Sequence, residues 1–275
     1  MPTLPSGEDA PHRHRRIAES FGADAARYDR ARPRYPDALV AAVAAAAAGR
    51  DLLDVGCGTG IAARQFQQAG YRVLGVEPDS RMAELARRTG VEVDLARFEE
   101  WRPGGRSFDA VTAAQAWHWV DPVAGAAAAA RALRPGGVLA VFWNAFQPPP
   151  GVAAAFADAF AREAPDSPFA AGAAGAADQR AAEPYRALAT KAVDGIRAAA
   201  AFEEPVERRF TWEWTYTRDA WLDVLPTQGS LTRLGAGPRA RVLDAVAAAV
   251  DAIGGAFTMP YTTVAVMARR FGAGG

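Results

Sequence analysis

The stretch Leu52-Leu53-Asp54-Val55-Gly56-Cys57-Gly58-Thr59-Gly60 is an apolar run closed by an acid, with three glycines on alternate positions behind it. The pattern predicts a buried strand that turns sharply into a helix beginning near Ile61. Glycines at such a turn let the backbone bend through conformations a side chain forbids, and they leave room for a ligand to lie on the main chain. A nicotinamide fingerprint wants G-x-G-x-x-G, whereas here the third glycine arrives one residue early. No Gly-Lys-Ser/Thr follows, as a phosphate loop requires. Asp54 separates the possibilities further, because a carboxylate aimed at the ligand suits a nucleoside carrying an ammonium group and repels a pyrophosphate. A ligand-free turn needs one glycine, not three and an acid.

The chain has 275 residues, half of them apolar, which fits one large α/β domain with an insertion or a domain and a half. Its formal net charge is zero and Lys191 is the only lysine. That balance argues against nucleic acid or a membrane surface held by charge, since both need a basic face. Cys57 is the sole cysteine, so no disulfide within the chain and no cysteine metal site can form. It sits where the turn needs a small residue, and packing explains it better than reactivity. Residues 1–15 are polar, with His12 and His14, and lack a signal-like apolar run. No uninterrupted apolar stretch of roughly 18 residues would span a bilayer. The expectation is a cytoplasmic protein without a membrane partner.

Further along, Tyr71-Arg72-Val73-Leu74-Gly75-Val76-Glu77 reads as a second strand ending in an acid about twenty residues beyond the glycines, the spacing at which a carboxylate grips ribose hydroxyls. Glu77 can accept two hydrogen bonds from a cis-diol. Val91 to Ala96 reads as a third strand and Ser107 to Ala114 as a fourth, which runs into Gln115-Ala116-Trp117-His118-Trp119-Val120-Asp121-Pro122. In an open parallel sheet ligands bind outside the carboxyl ends of the strands, so a histidine between two tryptophans there is a candidate for chemistry.

With these motifs in place, Asp54-Val55-Gly56-Cys57-Gly58-Thr59-Gly60 resembles the first motif of the class I S-adenosylmethionine-dependent methyltransferases. The resemblance implies S-adenosyl-L-methionine as cofactor, with Gly56, Gly58 and Gly60 against its methionine and ribose and Asp54 holding its amino group, directly or through water. It places Met82 on the adenine, although a core methionine fits the same spacing. It puts Phe98 in the apolar adenine role and Glu99 on the exocyclic amine, with a solvated loop acid as the alternative for Glu99; here the chain departs from the commoner Asp-Ala pattern. Gln115 joins the cofactor residues. The run Phe21 to Pro36 is similar to the cap that precedes the sheet in many small-molecule methyltransferases, where Tyr28 and Arg32 would touch the cofactor. A surface helix with an aromatic anchor reads equally well. The His-Trp-Val-Asp run resembles a subgroup related to trans-aconitate methyltransferase, in which His118 acts as a base, orients an oxygen or pairs with a carboxylate, or else simply fills the strand end. Trp117, Trp119 and Trp143 would line an aromatic substrate pocket, though tryptophans fill cores more often.

The remaining elements complete that pattern. Residues 16–31 and 37–48 read as helices around the break Arg32-Pro33-Arg34-Tyr35-Pro36. The turn Arg134-Pro135-Gly136-Gly137 introduces a fifth strand, Val138 to Trp143. A period of two from Val206 through Tyr216 predicts a sixth strand with an aromatic face carrying Trp212 and Trp214. Helices near 218–225, which holds Trp221, and 238–253 lead to a seventh strand, 256–269, with a bulge or strand start at Pro260. The expected architecture is α/β: a Rossmann-like seven-stranded mixed sheet with helices on both faces, an N-terminal helical cap and a helical lid insertion. Its ranges are a disordered tail over 1–15, cap and cofactor core over 16–144, lid over 145–205, and completing strands and helices over 206–275.

The expected activity is methyl transfer to a small molecule, to oxygen of a carboxylate or hydroxyl. Transfer to carbon or nitrogen is the alternative within enzymes, and an inactive cofactor-binding module the alternative outside them. A nicotinamide dehydrogenase stands a distant third. An adenine-N6 methyltransferase is disfavoured, because no Asp/Asn-Pro-Pro-aromatic run follows the fourth strand. Arg32 would be a ready partner for an acidic substrate.

Overall fold

The computed structural model describes residues 20–167 and 183–272. The expected 1–15 tail with His12 and His14, the start of the 16–31 helix and residues 168–182 of the insertion lie outside the described residues. A short 3-10 turn, Phe21–Asp24, leads into helix α1, Ala25–Ala31, where the Asp24 side chain accepts from the Arg27 amide as N-cap. Pro33 and Pro36 then force extended backbone, and α2, Asp37–Ala46, follows. The decisive stretch is β1, Asp51–Val55, then the glycine turn and α3, Ile61–Gln68. Next come β2, Arg72–Glu77; α4, Ser80–Arg88, capped by Asp79; β3, Glu92–Leu95; and β4, Phe108–Ala114. A 3-10 turn, Trp117–Trp119, precedes α5, Pro122–Ala132, whose N-cap Asp121 accepts from two backbone amides. The chain continues through β5, Leu133–Phe146, α6, Pro150–Glu163, α7, Glu183–Ala198, and β6, Val206–Thr217. It ends with α8, Arg218–Val224, two short turns, α9, Ala236–Asp251, and β7, Ala256–Arg269.

The seven strands form one sheet in the order β3-β2-β1-β4-β5-β7-β6. β1 pairs in parallel with β2 and β4, and so do β2 with β3 and β4 with β5. β7 runs against β5, because Arg270 donates to Gly137 while Thr263 bonds Asn144. It also runs against β6, since Arg218 donates to Gly255 and Glu203 to Arg269. Strand order reverses between β1 and β4. That is the topological switch point at which ligands bind in such sheets, and it puts the glycine turn and the Gln115 to Trp119 run side by side. The sheet is the Rossmann-like mixed sheet expected.

Two compact units divide the described residues. The first comprises 20–33, 145–167 with 183–184, and 211–262; the second comprises 34–144, 185–210 and 263–272. In the second, Leu52, Phe66, Val73, Phe142 and Ala265 share a core with Leu39 and Val43 of α2. Removing such side chains from water is its main stabilisation. In the first, α6 packs on α9, and Trp221 meets Phe146, Tyr216 and Phe257 edge to face. The expected insertion thus gives α6 to one unit and most of α7 to the other.

Two local expectations need correction. β5 begins at Leu133, five residues before the Val138 expected from its apolar run, because Gly136 and Gly137 both bond Arg270, the residue just after β7, and so extend the ladder. Pro260 neither starts nor breaks β7. Since Thr263 faces Asn144, position 260 lies beyond Phe146, where β5 ends. A missing N–H costs nothing there.

Candidate active site at the switch point

Within the second unit, Asp54 is wholly buried next to the carboxyl end of β1, and its Oδ1 accepts from the Thr112 hydroxyl at 2.9 Å. Its other oxygen, Oδ2, has no partner. Burial pushes its pKa up to about 7; the Thr112 hydrogen bond pulls the other way, and the Glu77 charge adds to the rise. Glu77, at the end of β2, is buried as well. Its Oε2 accepts from the Gly58 amide and its Oε1 from the Asp79 amide, both at 2.9 Å. Desolvation outweighs those two donors and raises its pKa to about 7.

The glycines between these acids have distinct duties. Gly56 has φ +61°, and a Cβ there would sit 2.6 Å from the Ala116 Cβ, so it lets the two loops close on each other. Gly58, at φ +56°, would meet only Met82 Cε at 3.8 Å. Its peptide therefore borders open space, and a ligand can approach it. Gln115, a non-glycine residue at φ +55°, follows β4 directly. Its amide donates to the Phe142 carbonyl at 2.9 Å, while its side-chain Oε1 is buried without a partner. A left-handed non-glycine backbone is held against its own preference, and such strain clusters at binding sites.

Met82 and Phe98 are buried, with Phe98 stacked on Trp101 and tilted against Trp117. Glu99 Oε1 accepts from the Asp121 amide at 3.0 Å, so it ties two loops together. Trp117 is 2% exposed and Trp143 1%; a Cβ on Gly125 of α5 would lie 3.3 Å from the Trp117 ring. His118 keeps part of its surface and lies 4.6 Å from the Trp119 ring. The Trp143 indole N–H donates to His118 Nδ1 at 3.1 Å. The neutral ring therefore carries its proton on Nε2, as a donor. Desolvation pushes its pKa down to about 3.

The donor set fits a nucleoside that carries a cation and a diol. Asp54 Oδ2 and Gln115 Oε1 are buried acceptors in want of a donor, and each Glu77 oxygen keeps a lone pair beyond its backbone bond. Residues 28–160 match the family model described as a methyltransferase domain. The switch-point site lies within those matched residues. An uncharacterized methyltransferase of Mycobacterium tuberculosis is 39% identical over 132 residues, 47% of this chain and 54% of that one. A ubiquinone biosynthesis O-methyltransferase of Methylocella silvestris is 36% identical over 98 residues, 33% of this chain and 38% of its own. This chain spans about half the length, or less, of these curated relatives. A solved chain from Anaeromyxobacter dehalogenans, described as a type II methyltransferase, superposes with a TM-score of 0.61 at 27% identity, over 88% of this chain and 99% of that one.

The matched stretch also holds a residue that the motif reading passed over. Thr112 faces Asp54 across the β1–β4 register and is fully buried. A threonine in the middle of the apolar run Phe108 to Ala114 was the available signal, and only the pairing of β1 with β4 gives it a partner. Thr112→Val removes the hydrogen bond that favours ionised Asp54, so the carboxyl should move further above 7 and the pH at which ligand affinity plateaus should rise by about one unit. Calorimetric titration between pH 6 and 9 measures that shift.

His118 gives a second expectation. Its ring should stay neutral from pH 8 down to pH 5, where an ordinary histidine titrates. With a native pKa below the unfolded value near 6.5, the unfolded chain binds the extra proton first. Its contribution to stability is therefore complete above pH 6.5 and is lost as pH falls towards 3. Imidazole NMR shifts that stay flat between pH 8 and 5 would agree; a midpoint near 6.5 would contradict the burial argument. Tyr28 and Arg32 belong to the first unit, where the Arg32 guanidinium lies 4.9 Å over the Tyr28 ring and donates to Thr227. Among the described residues no His/Cys/Asp/Glu group could hold a metal ion, and no helix is long and apolar enough to cross a membrane.

Proposed function

We propose that this chain uses S-adenosyl-L-methionine to methylate a small molecule, on oxygen, with no nucleic-acid or membrane partner and in the cytoplasm. The observation that carries the reading is the buried, unpartnered Oδ2 of Asp54 on the strand that leads into the open Gly58 turn. A buried carboxylate without a counter-charge is costly, and a ligand ammonium relieves it. Glu77 would take the ribose hydroxyls, Gly56, Gly58 and Gly60 the main-chain approach, and Met82, Phe98 and Glu99 the adenine, with Gln115 completing the cofactor contacts of this unit. When bound, the cofactor supplies an electrophilic methyl on a sulfonium. The chain contributes position and a dry pocket, and good orientation recovers roughly 7 to 11 kcal/mol of barrier.

His118 serves as a donor in this reading. With Nδ1 taken by Trp143, Nε2–H can hold an acceptor oxygen in line, and Trp119 beside it shapes the apolar wall. Transfer to a carboxylate needs no base, which favours an acidic acceptor over a phenol of high pKa. The resemblance of the His-Trp-Val-Asp run to the trans-aconitate methyltransferase subgroup supports that choice. Calorimetry with the cofactor and its demethylated product tests the binding, and incubating the chain with deuterated-methyl cofactor and a panel of small acids, phenols and amines tests the transfer. Label released from the product by mild base identifies an ester. Label in a stable amine or carbon product transfers the reading to nitrogen or carbon, and tight binding with no transfer to any acceptor points to an inactive module.

A further inference from the structure

Within the first unit, the ten residues from Trp221 to Ser230 carry four buried polar atoms with no hydrogen-bond partner: Trp221 Nε1, Gln228 Nε2 and Oε1, and Ser230 Oγ. Trp221 and Gln228 are 1% exposed and Ser230 4%. Local structure does not use these side chains. The Gln228 amide already donates to Leu225, and its carbonyl accepts from Leu231 and Thr232. Phe146, Tyr216 and Phe257 hold the Trp221 ring, and none of them takes its N–H. Buried polar groups in native proteins nearly always have partners, and four orphans in ten residues call for a partner beyond the described residues.

Charge says what kind of partner. Arg32 donates from Nε to the Thr227 hydroxyl at 2.9 Å and from its terminal nitrogen to the Thr227 carbonyl at 2.6 Å. Its guanidinium thus lies at the peptide that precedes Gln228. Arg27 and Arg30 share Asp223, but among the described residues Arg32 has no carboxylate partner. A cation without a counter-ion among the described residues is thus held at Thr227, within the same ten-residue stretch that carries an unpartnered indole N–H, amide NH₂ and hydroxyl. Donors outnumber acceptors, so the complementary group is an anion of oxygen.

We propose that Arg32, Trp221, Gln228 and Ser230 form an anchoring site for the carboxylate of a small-molecule acid, the apolar body of which packs on the aromatic side chains around Trp221. The site lies within the first unit and is independent of the function proposed above. The carboxylate site itself stands on the orphaned donors. A water-filled polar cavity would satisfy the same atoms without preferring an acid, and that difference is what a test must read.

Phenylacetate, benzoate and hexanoate are titrated into the unaltered chain by ligand-observed NMR, each against its primary amide, with and without S-adenosylhomocysteine. At least one acid should bind about tenfold or more tighter than its amide. Gln228→Leu should weaken that acid by about tenfold, and Gln228→Glu, which sets two carboxylates together, should abolish its binding. Both variants should keep S-adenosylhomocysteine affinity within about twofold. Equal binding of acid and amide, no binding of any of the three acids at millimolar concentration, or unchanged acid affinity in both variants overturns the site. The acid-to-amide comparison on the unaltered chain decides the matter even if the variants do not fold. A chain that prefers the acid yet ignores S-adenosylhomocysteine keeps this site and loses the methyl-transfer reading.

Discussion

Replacing Glu77 with alanine should weaken S-adenosylmethionine binding by about 100-fold or more, the largest single effect expected in this protein. Two charge-assisted hydrogen bonds to a ribose are worth about 1.5–3 kcal/mol each, and the variant loses both. It also frees the Gly58 and Asp79 amides, which Glu77 now accepts, so the glycine turn loses the clamp that fixes it to β2. Stability should change less than affinity. The two stranded amides destabilise the fold, but the removal of a buried carboxyl with a pKa near 7 works in the opposite direction. Glu77→Gln keeps one acceptor and should lie between the two chains. Calorimetry beside a thermal melt separates the effects, and an alanine variant that binds as well as the parent chain would remove Glu77 from the site.

The second large effect is a dependence of cofactor affinity on pH below neutrality. Asp54 and Glu77 both have pKa values near 7 in the ligand-free chain, against the 3.8 and 4.5 of the free groups. The unfolded chain therefore ionises first, so these two acids contribute stability that declines as pH rises from about 4 to 7 and is constant above. A bound ammonium needs Asp54 ionised. Affinity should then fall by up to about tenfold per pH unit below 7 and level off above it, with proton release on binding. Titration at pH 6 in two buffers of different ionisation enthalpy counts the protons. Asp54→Asn should bind about 10- to 100-fold more weakly at pH 8 and show a shallower slope below 7. An affinity that is the same at pH 5.5 and 8 would mean that the carboxyl does not meet a cation.

The motif Asp54 to Gly60 determined most of what can be said of the fold, because three glycines and an acid behind an apolar run leave the backbone few options. The place of Glu77 at the end of β2 was legible for a similar reason: a fixed strand-helix-strand unit sets how far along the chain the next carboxyl end falls. Apolar runs located the strands to within a few residues but misplaced the start of β5, since Gly136 and Gly137 take their pairing from Arg270, far away in sequence. Tertiary structure alone decided the state of each polar group. Thr112 means nothing until β4 lies beside β1, and the tautomer of His118 depends on an indole 25 residues away. The strain at Gln115 is likewise invisible in its neighbours. Nor could any periodicity reveal that Gln228 is buried without a partner next to an arginine from the start of the chain. Sequence sets local backbone geometry and the pattern of apolar faces, whereas pKa values, tautomers and unsatisfied donors arise from burial and from distant neighbours, which exist only once the chain has folded.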